Sequence, residues 1–140
     1  MQSISSARLL SPNALADALG VPDLTDPQQG GPTPHALALL LPLAVDGLAS
    51  GWGIPSRLLR LHPVVPVDDN YDRLGYEPAA VTRDARYTRH VSQTCVLRGH
   101  TSAGVPYALR SLAAEGDTGP DDVLLALPGL VYRRDAIDRL

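Results

Sequence analysis

"TCVLRGHTSAGVPYALRSLAA" (residues 94–114) decides how the chain is to be read. Its first residues combine a cysteine with the apolar pair Val96 and Leu97, a strand-like run placed at about 93–98. The rest carries a helical spacing from about Ser102 to Ala114, in which Val105, Leu109, Leu112 and Ala113 share a face. Between the two lie Arg98, His100, Thr101 and Ser102. If Ser102 caps the helix, these groups stand where free backbone N–H groups and the positive end of the helix dipole converge, a setting that favours a carboxylate or phosphate. On these residues alone the simpler reading is a capping serine beside a surface histidine.

Working outward, Ser11-Pro12 followed by "ALADAL" starts a short helix that Gly20 stops. The proline- and glycine-rich stretch 20–34 reads as a loop. A second helix is expected from about His35 to Ala49, kinked at Pro42 and ended by "SGWG". "SRLLRLHPVVPV" (56–67) reads as an edge strand or one that breaks at its end, because Pro63 and Pro66 cannot donate to a ladder. Residues 68–94 form a mixed polar excursion with three tyrosines, and long irregular excursions in compact domains are often functional. After the linker "EGDTGPDD", "VLLALPGLVYRR" (123–134) reads as a final strand. Strand alternation would put Val131 and Arg133 on one face and Tyr132 and Arg134 on the other, so that the two arginines could not serve one site. Asp135 would share the face of Arg133.

The chain has 140 residues, 44% hydrophobic and 19% charged. That is enough for one domain burying roughly 70% of its unfolded surface, and it excludes wholesale disorder. A net charge of -3 argues against nonspecific nucleic-acid binding by the fold as a whole. The apolar stretch 36–49 falls short of the ~20 residues of a membrane span. The start of the chain does not have the pattern of a signal peptide. Cys95 is the one cysteine; it reads as a buried structural residue, and a reducing cytoplasm suits it. The four histidines lack metal-ligand spacing, and there is neither a phosphate-loop lysine nor a serine-hydrolase elbow.

"LRGHTS" (97–102) and "GLVYRRDAIDRL" (129–140) together resemble the α subunit of phenylalanyl-tRNA synthetase and its stand-alone relatives, a class II aminoacyl-tRNA synthetase core. The first is close to that family's Leu-Arg-Thr-His-Thr-Ser segment and the second to its motif 2 start, Gly-x-Val-Tyr-Arg-Arg-Asp. "NYDRL" (70–74), Pro78 and Arg83-Asp84 resemble the stretch before the histidine segment, and "GW" (51–52) with "PVV" (63–65) resembles motif 1. The resemblance covers about residues 51–140, with a faint extension into 35–49.

This resemblance implies an α+β fold: part of a class II synthetase-like antiparallel sheet flanked by helices, in one incomplete catalytic domain with a helical segment over 1–50. The implied reaction is adenylate formation, in which an amino acid carboxylate attacks the α-phosphate of ATP with Mg2+ present. On matched positions Arg133 would contact that phosphate and the carboxylate, His100 and Ser102 would anchor the amino acid, and Asp135 would be the acidic partner of the ATP site. Implied partners are the amino acid and ATP, with tRNA and either a second copy or a second synthetase subunit. Gly99 replaces the family's threonine, and Val105 stands where a substrate-side glutamine is usual. The chain ends inside motif 2, so the expectation is an inactive fragment unless completed. The competing expectation is a catalytically inactive paralogue serving as a binding or dimerisation module through its motif 1 surface.

Overall fold

A computed structural model describes residues 9–29, 31–84, 87–116 and 119–134. Helix α1 (Pro12–Leu19) begins where expected: Ser11 Oγ accepts from the Ala14 N–H at 3.2 Å, Pro12 occupies the first turn, and Gly20 follows. Helix α2 (Ala36–Trp52) is capped by His35, whose Nδ1 accepts from the Leu37 N–H at 3.2 Å; it contains Pro42 and runs three residues past Ala49, to Gly53. It packs against the rest through a narrow stripe including Ala38, Val45 and Ala49. Among the described residues no helix is long and apolar enough to cross a membrane.

The fold is α+β, with two small sheets. The segment 56–67, expected as an edge strand or one breaking at its end, is instead divided into β1 (Ser56–Leu58) and β2 (Val64–Pro66), which join different sheets. The division falls around Pro63, which has no N–H to offer a ladder. β2 pairs antiparallel with β4 (Cys95–Leu97), and β4 pairs antiparallel with β3 (Arg89–His90), giving the order β2-β4-β3. β1 pairs in parallel with β5 (Leu124–Ala126). The expected long final strand is therefore also corrected. Regular pairing stops at Ala126, before Pro128, which lacks an N–H, and Gly129, whose φ of 146° lies outside the strand region.

Val96 and Leu97 are the anchors of the fold, 0% and 1% exposed. Burying such side chains stabilises by about 1.5–3 kcal/mol each. Val96 packs with Val65 and Ala103 in a small core that Val67 flanks. Cys95, at the outer end of β4, is half-buried, not buried as expected.

Helix α4 (Val105–Glu115) starts later than its pattern suggests, because a 3₁₀ turn at Thr101–Gly104 precedes it. Ser102 is consequently no cap: α4 has no side-chain cap, and Pro106 occupies its first turn. The expected inner face is rotated as well. Pro106 and Ala108 are buried, whereas Leu109 is 54% exposed and Ala113 is also exposed.

Three short pieces complete the wall around β4: α3 (Val67–Asn70) and 3₁₀ turns at Asp72–Leu74 and Val81–Arg83. A buried carboxylate ties α3 to α4. Asp69 accepts from Arg110 at 2.9 and 3.2 Å and from Arg73 at 2.5 Å. The Arg110 hydrogen bonds, then Arg73, hold its carboxyl below the usual range against the opposing effect of burial.

Candidate functional site

Arg98 organises the site without lining its cavity. It follows β4 directly and is 3% exposed. Its Nε donates to the Leu130 carbonyl at 2.8 Å and its Nη1 to the Leu61 carbonyl at 3.2 Å. Burial pulls its pKa below the ordinary arginine value, yet a guanidinium stays protonated. A Cβ at Gly129 would lie 1.8 Å from Arg98 Nη2 and force the guanidinium to shift, and the φ of 146° there itself suits glycine.

The segment after Gly129 is thereby laid against the sheet. The Tyr132 N–H donates to the Arg98 carbonyl at 2.9 Å and the Arg134 N–H to the Tyr87 carbonyl at 3.1 Å. Arg89 Nε donates to the Arg133 carbonyl at 3.4 Å. Residues 132–134 thus bridge the end of β4 and the start of β3, which brings the second polar cluster beside the first.

Between them is a cavity of ≈ 210 Å³, lined by residues including Tyr76, Tyr87, Gly99, His100, Tyr132 and Arg133. It is smaller than most ligand pockets, which span ~300–1,000 Å³, and so has room for a small metabolite. His100 and Arg133, predicted from separate motifs, share this cavity. Ser102 does not line it, but its Oγ hydrogen-bonds His100 Nδ1 at 2.8 Å and so orients the ring. Asp135 lies outside the described residues.

His100 is half-buried and stacked on Tyr76, with ring centroids 5.4 Å apart and planes at 19°. Burial lowers its pKa, opposed by the Asn70 backbone, so the neutral ring is favoured near pH 7. If Ser102 donates to Nδ1, the ring proton sits on Nε2, which makes no regular hydrogen bond among the described residues. The Asn70 side chain, 1% exposed, accepts from the Gly99 N–H at 3.2 Å through Oδ1, and its Nδ2 has no partner among the described residues. The His100 ring and the Asn70 amide thus flank Gly99. The Arg133 guanidinium lies over the Tyr87 ring, 5.0 Å from its centroid.

The polar excursion 68–94 builds the opposite wall. Gly75, at φ 76°, turns the chain so that Tyr76 returns against His100. Tyr71 meets Tyr76 edge-on at 5.8 Å and lies under Arg83 at 5.2 Å. Its hydroxyl shares a 2.6 Å hydrogen bond with Thr88 Oγ1. Sequence reasoning noted these tyrosines but did not assign them to the cavity. It also missed Arg98 and Asn70, whose roles depend on partners far along the chain.

No known family model matches the chain. It is similar to the phenylalanine–tRNA ligase alpha subunit of Prochlorococcus marinus (strain MIT 9313), with 33% identity over 129 residues. The match takes in 89% of this chain, more than the stretch 51–140 that carries the motifs, and 36% of the relative. The chain therefore spans about a third of the length of the ligase subunit it matches.

Proposed function

We propose that this chain is part of an amino acid-activating ligase, with its small cavity holding the amino acid carboxylate where the α-phosphate of ATP is attacked. The observation that carries the reading is the convergence of His100 and Arg133 on one aromatic-walled cavity. On this reading the sheet β2-β4-β3 is part of a class II synthetase-like platform.

Arg133 meets the charge that develops as the carboxylate oxygen bonds to phosphorus and pyrophosphate leaves. A fixed guanidinium there stabilises the transition state more than the ground state. Neutral His100, oriented by Ser102, donates from Nε2 to the carboxylate without adding a second charge. Among the described residues no group of three or more His, Cys, Asp or Glu side chains could hold a metal ion. Magnesium would arrive on the nucleotide's own phosphate oxygens. Asp135 is proposed as the acidic neighbour of the ATP site, and tRNA as the acceptor of the activated amino acid.

Amino acid-dependent exchange of pyrophosphate into ATP tests this reading. Exchange that Arg133→Ala lowers by about 10²–10³-fold, the usual cost of losing one such donor, supports it. Exchange indifferent to that substitution contradicts it.

One observation favours a second reading, a binding module that associates through α2. Leu39, Leu40, Leu43 and Trp52 on this helix are 56–69% exposed, and a helix apolar on all sides is normally covered. The covering surface on this reading is a second copy of the chain or another synthetase subunit.

A further inference from the structure

A second cavity, of ≈ 380 Å³, adjoins the first and shares Thr88 with it. Among the described residues its lining is Leu9, Leu10, Ser11, Ala14, Thr88, Arg89 and Arg134, with no carboxylate. Its volume lies within the ~300–1,000 Å³ of small-molecule sites.

The two arginines are exceptional in this acidic chain. Arg57, Arg60, Arg73, Arg83 and Arg110 each pair with a carboxylate. Arg98 is spent on backbone carbonyls, and Arg133 lies over Tyr87. Among the described residues Arg89 and Arg134 pair with no carboxylate, and both line the same cavity. Arg89 is half-buried, and its one side-chain hydrogen bond uses Nε; its terminal nitrogens remain available. Arg134 is exposed; two guanidinium groups lining one cavity without a counter-charge give it a positive potential that an anion would neutralise.

We propose that the cavity between Arg89 and Arg134 is a phosphate subsite, separate from the pocket of Arg133. It takes the phosphate of an ester whose apolar or ring-bearing body rests on Leu9, Leu10 and Ala14. Both sources of this chemistry, a nucleotide polyphosphate and an RNA backbone, present tetrahedral oxygens that a guanidinium binds in pairs. Ser11, whose Oγ accepts from Ala14, still has its hydroxyl proton to donate. Backbone order separates the two sites: Arg133 lines the first cavity and the adjacent Arg134 the second. The assignment does not depend on amino acid activation.

The test is calorimetric titration of the full chain at low salt with inorganic tripolyphosphate, with ATP and with a short single-stranded RNA. Binding of at least one probe should weaken about tenfold or more in Arg89→Gln/Arg134→Gln, given the worth of hydrogen bonds to a charged group. It should survive in Arg89→Lys/Arg134→Lys and in Arg57→Gln/Arg60→Gln, which matches the glutamine variant in net charge. A preference for ATP and tripolyphosphate assigns the source as a nucleotide; a preference for RNA assigns it as a nucleic-acid backbone. Equal weakening in the Arg57→Gln/Arg60→Gln control, or no binding of any probe at millimolar concentration, overturns the proposal. Thermal melts of each variant show that the fold is retained.

Discussion

Arg98 and Gly129 fit together so closely that a single methyl group between them would displace the guanidinium: a Cβ on Gly129 would stand 1.8 Å from Arg98 Nη2. The arginine of the first motif is thus a structural anchor for the second. It holds Leu130 by its carbonyl and delivers Arg133 to the cavity.

Arg98→Ala should cost about 2–4 kcal/mol, because it empties a buried space and leaves the carbonyls of Leu61 and Leu130 without their donor. Arg98→Lys should recover little, since one ammonium cannot reproduce the planar fork. Gly129→Ala should destabilise by a similar route, with its unfavourable φ added. Chemical denaturation of the three variants measures these effects.

Asp69→Asn removes the charge that Arg73 and Arg110 share. The carboxylate is buried, but the arginine side chains are 48% and 52% exposed. Solvent screening therefore reduces the cost from the several kcal/mol of a fully buried pair to about 1–2 kcal/mol. Because the folded pKa of Asp69 is lowered, its contribution is complete above the unfolded value near ~3.9 and is lost as pH falls through the folded value. Denaturation in acid should show a shallower loss below ~pH 4 in the variant.

His90 and His100 both have pKa values lowered chiefly by burial. The unfolded chain therefore takes up protons first, near pH ~6.5. Stability is greatest above that pH and declines as pH falls toward the folded values. Melting temperature should drop between pH 7 and 5, and the slope should flatten in His90→Gln/His100→Gln. A slope unchanged by the double substitution would contradict the burial of these rings.

What the sequence made legible was local. The cap at Ser11, the cap-side start of α2 and the strand at 95–97 follow from short-range chemistry, and each formed. Ser102 failed as a cap because Thr101–Gly104 closes a 3₁₀ turn first. The strand expected through Arg134 failed at Pro128 and Gly129, so the alternation argument lost its basis. Its conclusion, that Arg133 and Arg134 serve different places, is matched by their separate cavities. The aromatic wall and the Arg98 anchor were not legible, since they depend on contacts such as Arg98–Leu130 and Tyr71–Thr88, which span 32 and 17 residues.

Helix α2 makes a prediction about assembly. Leu39 and Leu43, 56% and 69% exposed, lie one turn apart on the same side of the helix, opposite its buried stripe. Sedimentation should detect a dimer that Leu39→Glu/Leu43→Glu dissociates, with the secondary structure retained. A monomeric wild-type chain counts against self-association.

The central claim is that His100 and Arg133 bind one ligand together. Its most direct measurement is calorimetric binding of non-hydrolysable aminoacyl-adenylate analogues, carrying a panel of amino acid side chains, to the wild-type chain and to Arg133→Ala and His100→Ala. The account predicts that at least one analogue binds and that each substitution weakens it, Arg133→Ala by about 10²-fold or more. Wild-type binding that neither substitution changes, or failure of every analogue to bind, would contradict it.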